Sequence, residues 1–166
     1  GYFEAIQPIL KKHDILFIAD EVICGFGRTG NMFATETYNL QPDMITMAKA
    51  LSAAYLPISA VMINERVADV VYENSGKIGS FGHGFTYSAH PGSAAVALET
   101  LNIYEERDIV SHVRSVMGRF QDGLRAFEDH SLVGEARGVG LVGAIEMVED
   151  KDSKEKFKDD DPELKT

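Results

Sequence analysis

Apolar positions in the first half of the chain switch between a strand-like and a helix-like pattern. The continuous apolar run at 15–19 has the length of a strand that is buried on both faces, while apolar residues within 2–13 recur at helical spacing. Further strands are predicted at 43–47 and 58–63, and further helices near 33–38 and 65–72. Strands that alternate with helices in this way predict an α/β fold with a parallel sheet.

The second half of the chain begins with a glycine-rich segment at 75–88. Its length and composition predict a loop that has a function of its own. Two helices are predicted next, at 91–107 and 108–128. The stretch 131–148 then has strand character interrupted by glycines, which predicts a bend or a hairpin.

The change of pattern near residue 105 predicts two domains. Residues 1–105 are expected to form part of a larger domain and residues 106–166 part of a smaller one, with the charged tail 150–166 as a mobile loop. The chain begins without Met inside a predicted helix and ends in a polar run. We therefore expect it to be a piece of a longer protein, whose other segments cover its apolar faces.

Composition narrows the class of partner. The formal net charge of −10 argues against nucleic acid or an acidic membrane surface, because both need a basic patch. No apolar run approaches the roughly 18 residues that span a bilayer.

Cys24 is the only cysteine, so a reducing compartment such as the cytoplasm is expected. Cys24 is expected to be a packed residue, and no metal site is expected because no Cys/His cluster accompanies His83 and His90.

Charged side chains follow two of the predicted strands. Asp20 and Glu21 end the apolar segment 15–22, and Lys49 lies just past the strand at 43–47. Ligands of parallel sheets bind at the carboxyl ends of the strands, where this carboxylate and this amine both fall. They are the two anchors that pyridoxal phosphate needs. The lysine forms a Schiff base with the aldehyde, and the carboxylate keeps the pyridine nitrogen protonated so that the ring accepts electrons.

Each of these residues has a simpler interpretation. Asp20 alone is typical of a helix cap or a loop acid, and Lys49 alone of a solvated surface lysine. An apolar strand followed by Asp-Glu is also typical of the magnesium-binding strand of P-loop ATPases. Such an enzyme needs a G-x-x-x-x-G-K-[ST] loop, which these 166 residues lack but a longer protein could supply. A cofactor-free interaction module is the third hypothesis.

The motifs around these residues resemble a known family. LFIADEVICGFGRTGNMFA followed by QPDMITMAKALSAAYLPISAVMI is similar to the signature of class III aminotransferases, which are pyridoxal-phosphate enzymes of fold type I. FGHGFTYSAHPGSAAVALETL and RGVGLVGAIEMV match as well, so the resemblance covers roughly residues 1–150. It implies the C-terminal half of a large domain with a mostly parallel sheet, plus the start of a smaller α+β domain.

The resemblance also implies a role for each site residue. Lys49 would be the Schiff-base lysine and afterwards the base that moves a proton, and Asp20 would pair with the pyridinium nitrogen. Val22, two residues further along the predicted strand, would pack against the ring face. Thr86, with the backbone at Phe85, would bind the cofactor phosphate. In the family this loop comes from the neighbouring subunit, which implies a homodimer or a higher homo-oligomer.

The implied reaction is a transamination. An amine or omega-amino acid would give its amino group to a keto acid, expected to be pyruvate, because DEVICGFGRTG and GHGFTYSAHP look most like the omega-amino acid:pyruvate or amine:pyruvate branch. A mutase or a decarboxylase that uses the same anchors remains an alternative within the family. The 166-residue piece alone is expected to be inactive, because in the family other parts of the site come from segments outside it.

Overall fold

The computed structural model describes residues 1–158 of the chain. Cα packing divides the chain into two units, Gly1–Val110 and Ser111–Thr166. The predicted domain boundary near 105 stays a prediction. The predicted mobile tail falls partly on 159–166, which lie outside the described residues. Within the described part of the chain, no helix is both long and apolar enough to cross a membrane.

The first unit contains the strands and helices that carry the candidate site. Its three strands are β1 (Ile18–Asp20), β2 (Met44–Met47) and β3 (Ala60–Ile63). Its four helices are α1 (Tyr2–Lys12), α2 (Ala34–Thr37), α3 (Glu65–Ile78) and α4 (Pro91–Glu106), and a 3₁₀ turn spans Lys49–Leu51. Each strand and helix overlaps a segment where the hydrophobic pattern predicts one, although β1 begins three residues after the predicted start at 15.

Helix α3 is longer than its sequence pattern predicts. It continues six residues beyond 72 and takes the first part of the predicted 75–88 loop into the helix. The extension is held by a Lys77–Glu73 ion pair one turn apart and by a hydrogen bond from the Asn74 side chain to the Val70 carbonyl. The helix ends only at Gly79, which adopts φ 82 in the left-handed region that favours glycine.

The three strands of the first unit form one small sheet in the order β1-β2-β3. β1 and β2 run parallel, with Asp20 opposite Thr46, as predicted. β3 runs antiparallel to β2, with Val61 opposite Thr46, so the sheet of the described chain is mixed rather than parallel throughout. The physical reason is the connection at 48–59, which contains a 3₁₀ turn and no crossover helix of the kind that parallel strands need.

The prediction that the first strand is buried on both faces is wrong for the described chain. Ala19 is buried, but its neighbour Ile18 is 54% exposed, because only one face of β1 is covered by described residues. A buried cluster lies instead at the carboxyl end of the sheet. Its members are Phe26, Met47, Leu51 and Ala97. The cluster therefore joins the segments that follow β1 and β2 to helix α4 and supports the carboxyl edge of the sheet.

The second unit pairs a helix with a hairpin. Helix α5 (Ile109–Arg125) begins two residues before the unit, and strands β4 (Val133–Val139) and β5 (Val142–Met147) form the predicted antiparallel hairpin. The Gln121 side chain donates hydrogen bonds to the carbonyls of Gly140 (2.9 Å) and Val142 (3.1 Å), which ties the hairpin turn to the helix. Arg137 of β4 pairs with Glu146 of β5 at 2.9 Å.

Asp43 ties together the amino-terminal edge of the sheet. One carboxylate oxygen accepts a hydrogen bond from the Phe17 backbone N–H at 2.8 Å, and the other accepts one from the Asn64 side chain at 2.9 Å. The Arg66 guanidinium lies 3.5 Å from the carboxylate. The pKa of Asp43 is held below its usual value of 3.8. The largest cause is the hydrogen bond from Phe17, followed by the hydrogen bond from Asn64 and the positive charge of Arg66.

We predict that this interaction makes stability depend on pH at the acid end. The folded pKa of Asp43 lies below the unfolded one, so its contribution is complete above pH 3.8 and is lost as the pH falls through 3.8 towards the folded value. Asp43→Asn should therefore lower the urea midpoint at pH 7, with a smaller difference from wild type at pH 3. A difference that stays the same at both pH values would contradict this account.

Candidate active site

Asp20 and Lys49 lie at the same edge of the sheet, where the parallel strands β1 and β2 end. Asp20 is the last residue of β1 and is paired in register with Thr46 of β2. Lys49 follows Thr46 by three residues, just past the end of β2. Because the two strands run in the same direction, both residues lie at the same edge, and both side chains are exposed. This edge is where open α/β sheets bind their ligands.

The Asp20 carboxylate has one oxygen engaged within the chain. Its Oδ1 accepts a hydrogen bond from the Val22 backbone N–H at 3.0 Å, which is the loop-acid role considered from the sequence. Among the described residues no hydrogen bond reaches Oδ2. One carboxylate oxygen therefore fixes the side chain, and the other remains available to a ligand.

Val22 does not lie on a strand. β1 ends at Asp20, and the chain turns at once, with the Gly25 N–H donating to the Glu21 carbonyl at 2.9 Å. The prediction that Val22 points the same way as Asp20 along a strand therefore rests on a wrong premise, because the extended backbone stops two residues earlier. Contact of Val22 with a ring face stays a prediction.

Glu21 organises the loop that follows β1, a role that the sequence analysis missed. Its side chain is 2% exposed, and its two carboxylate oxygens accept hydrogen bonds from the backbone N–H groups of Ala34 (3.0 Å) and Thr35 (2.7 Å). These are among the N–H groups that the first turn of a helix leaves without partners. The Glu21 backbone also donates to Thr46 at 2.9 Å, which extends the β1–β2 ladder by one bond. The start of α2 is thereby fixed to the end of β1.

The loop itself is packed too tightly to accept larger residues at one position. A Cβ atom on Gly25 would lie 2.8 Å from the Glu21 carbonyl oxygen, which is closer than real contacts allow. The next residue, Phe26, adopts φ 59, a left-handed conformation that is uncommon for a large side chain, while its ring is buried in the core cluster. The close approach at Gly25 and the buried ring of Phe26 thus restrict the conformation of the loop that follows Asp20.

Lys49 has a strained backbone. Its φ of 44 lies in the left-handed region, which is unfavourable for a residue with a Cβ atom. Several hydrogen bonds enforce the turn: Leu51 N–H donates to the Ala48 carbonyl at 2.9 Å, and the hydroxyl of the buried Ser52 donates to the Leu56 carbonyl at 2.7 Å. Strain of this kind persists only where the surroundings over-determine it, and it is concentrated at functional sites.

Within the described residues, the predicted phosphate-binding residues Phe85 and Thr86 make no contact by hydrogen bond or ring with Asp20 or Lys49. Phe85 is 76% exposed and Thr86 is also exposed, on the loop between α3 and α4. The Phe85 N–H donates to the Ser88 hydroxyl at 3.0 Å. The predicted role of Phe85 and Thr86 depends on a neighbouring subunit and remains a prediction.

Cys24 lies in the same loop as Glu21, in an environment that disfavours the thiolate form. Its side chain is partly buried, and burial, followed by the negative charges of Glu21 and Asp20, raises the pKa of the thiol above its usual value of 9.0. The thiol is therefore protonated at neutral pH. This supports the interpretation of Cys24 as a packed residue rather than a nucleophile.

The residues at the carboxyl edge fit pyridoxal phosphate. Lys49 offers an exposed amine for the aldehyde, and Asp20 offers a fixed carboxylate oxygen for the ring nitrogen. Gly82 and Gly84 have open space where a Cβ atom would lie, so the loop before Thr86 leaves its backbone accessible to an anion.

Comparison with known sequences identifies close relatives. Residues 1–161 match the family model described as aminotransferase class-III. The chain is 56% identical over 156 residues to gamma aminobutyrate transaminase 3 of Solanum lycopersicum, a chloroplastic protein, covering 94% of this chain and 30% of the relative. It is 54% identical to a probable mitochondrial gamma-aminobutyrate transaminase 2 of Oryza sativa subsp. indica, with 94% and 31% covered. The chain thus spans about 30% of the length of these relatives.

Solved structures agree with the sequence comparison. A transaminase solved with L-ala superposes with a TM-score of 0.92 at 54% identity, covering 96% of this chain and 38% of that one. An omega transaminase of Pseudomonas jessenii in complex with PMP gives a TM-score of 0.91 at 49% identity, with 95% and 35% covered. These neighbours confirm the predicted α/β fold class.

The buried hydrogen bonds of Glu21 predict a large effect on stability. Glu21→Ala leaves two buried N–H groups without acceptors and should lower the free energy of unfolding by about 3 kcal/mol. Glu36→Ala is the matched control, because the exposed Glu36 accepts from the Phe33 N–H at the start of the same helix at 3.3 Å, and its removal should cost less than about 1 kcal/mol. Urea denaturation measures both. Equal costs for the two variants would contradict the role assigned to Glu21.

The raised pKa of Cys24 predicts slow alkylation. At pH 8, iodoacetamide should alkylate the Cys24 thiol several-fold more slowly than it alkylates the thiol of glutathione, because only the thiolate reacts. The rate of alkylation of Cys24 should rise as the pH is raised. Mass mapping of the peptide that contains Cys24 follows the reaction, and the same peptide in denaturant provides the unperturbed rate. Folded protein that reacts as fast as denatured protein would overturn this prediction.

Proposed function

The chain belongs to the class III aminotransferases, and from this membership we propose that it carries the cofactor-holding part of a pyridoxal-phosphate-dependent transaminase. The observation that carries the proposal is the placement of Asp20 and Lys49 at one edge of a parallel strand pair. The match argues against the P-loop ATPase, which is not expected to share 56% of its residues with a transaminase. The presence of Asp20, Lys49 and Thr86 argues against a cofactor-free homologue that serves as an interaction module.

Two side chains act on the cofactor in this proposal. When bound, pyridoxal phosphate supplies an aldehyde and an electron-withdrawing ring that stabilises charge at the substrate Cα. Lys49 Nζ would hold the cofactor through its aldehyde carbon and would be the base that carries a proton at the substrate Cα over a short distance. Asp20 Oδ2 would accept a hydrogen bond from the protonated ring nitrogen and favour that proton, while Oδ1 accepts from the Val22 N–H.

Thr86 and the Phe85 backbone complete the proposed site from a second copy of the chain. Both residues are exposed and unconnected to Lys49 among the described residues, which is what a loop that serves a neighbouring subunit requires. The Thr86 hydroxyl and nearby backbone N–H groups are suited to a phosphate. The active form in this proposal is a homodimer or a higher homo-oligomer.

The proposed amino donor is an omega-amino acid or a related amine, and the proposed acceptor is pyruvate. The names of the plant relatives support the donor class, since gamma-aminobutyrate carries its amino group at the end of the chain. The neighbour solved with L-ala supports the acceptor, because alanine is the amino form of pyruvate. Mutase and decarboxylase activities have no support from these relatives. A cytoplasmic location stays a prediction, since the names of the two plant relatives give a chloroplastic and a mitochondrial location.

Borohydride trapping tests the proposal. The enzyme that carries this chain, loaded with pyridoxal phosphate and reduced, should show a phosphopyridoxyl mass on the peptide that contains Lys49. Lys49→Arg should abolish this label, because a guanidinium does not form the covalent bond.

Lys77→Arg is the control for this experiment. Lys77 is a surface lysine paired with Glu73, so its replacement should leave the label in place. Label scattered over surface lysines, or retained in Lys49→Arg, would overturn the assignment of Lys49.

A further inference from the structure

A side-chain hydrogen bond connects the turn that contains Lys49 to helix α4, in addition to the core cluster that Leu51 and Ala97 share. The Tyr104 hydroxyl donates a hydrogen bond to the carbonyl of Ala50, 54 positions away in sequence, at 2.6 Å. Among the described residues, this is the hydrogen bond that ties 48–56 to another element, since the turn's other hydrogen bonds stay within that segment. Tyr104 lies outside every motif quoted for the family resemblance, although the start of its helix belongs to one of them.

The Tyr104 side chain is itself held firmly. Its ring packs against the core cluster, with its centroid 6.2 Å from that of Phe26. Burial raises the pKa of the phenol above its usual value of 10.0, although the Arg28 charge opposes the shift. The hydroxyl is therefore a protonated donor throughout the neutral range.

The bonded carbonyl belongs to the residue directly after Lys49. Lys49 adopts φ 44, and its own carbonyl accepts from the Ser52 N–H at 3.2 Å, so the peptide groups on both sides of Ala50 are restrained. A hydrogen bond from a rigid helix to this point opposes relaxation of the left-handed residue to an ordinary conformation. The direction of the lysine side chain follows from that backbone conformation.

We infer that Tyr104 is a positioning residue for Lys49: its hydroxyl fastens the turn Lys49–Leu51 to helix α4 and so fixes the direction from which the lysine amine reaches the cofactor. The inference rests on the proposed function of Lys49. It assigns no contact between Tyr104 and the cofactor. The hydroxyl acts through the backbone of Ala50.

Tyr104→Phe in the cofactor-loaded enzyme that carries this chain tests the inference, because it removes the hydroxyl and keeps the ring in the core. Thr100→Val is the matched control. Thr100 is a buried residue one turn earlier on α4, and its hydroxyl donates to the Val96 carbonyl at 2.8 Å within the same helix. Both variants lose one hydroxyl hydrogen bond from α4, and only Tyr104→Phe removes a hydrogen bond to the turn that contains Lys49.

Three readouts are compared between the variants. In Tyr104→Phe, amide hydrogen exchange in 48–56 should be faster, and the pH at which the visible absorbance of the lysine-bound cofactor changes should shift. Its kcat should fall roughly threefold to tenfold with KM changed less than twofold, as expected for the loss of one neutral hydrogen bond that orients a reacting group. Thr100→Val should match wild type in all three.

The outcomes separate this inference from the proposed function. Wild type that forms no covalent adduct at Lys49 would overturn the proposed function and the inference together. An adduct at Lys49, with Tyr104→Phe equal to Thr100→Val in exchange and absorbance titration, would overturn the inference alone. Equal losses of kcat in both variants would also overturn it, because they would indicate general destabilisation of α4.

Discussion

The carboxylate of Glu21 is the constraint on which the candidate site depends. It is almost completely buried, and a buried charge of this kind is stable only where hydrogen bonds satisfy it, here from Ala34 and Thr35. Those two bonds fix where the loop after β1 must close. The loop in turn holds Asp20 at the end of its strand, and its buried Phe26 joins the core cluster beneath the edge.

The parallel pairing of β1 and β2 places the loop after β1 and the turn after β2 at the same edge of the sheet. Register places Asp20 and Lys49 at one edge, and no hydrogen bond or ion pair joins the two side chains among the described residues. On the β1 side a buried carboxylate shapes the loop, and on the β2 side hydrogen bonds hold a strained turn at Lys49. The site is therefore two restrained turns on a common sheet, and each can be loosened separately by mutation.

The sequence alone predicted the parts of this structure that depend on local pattern. Strand ends are marked by the change from apolar to charged residues, so Asp20 and Lys49 were identifiable, and the hairpin of the second unit was marked by its glycines. The roles of Glu21 and Tyr104 were not predictable, because their partners lie 13, 14 and 54 residues away. The antiparallel direction of β3 and the exposed face of β1 likewise depend on tertiary packing that no local pattern records.

In the proposed site, Asp20 would hold a proton on the ring nitrogen of a cofactor whose aldehyde is bound by Lys49. Nitrogen-15 NMR of the enzyme loaded with ring-labelled pyridoxal phosphate measures the protonation of that nitrogen directly. The account predicts a protonated nitrogen in wild type and an unprotonated one in Asp20→Asn, with the covalent adduct at Lys49 present in both. An unprotonated nitrogen in wild type, or the same protonated signal in both proteins, would contradict it.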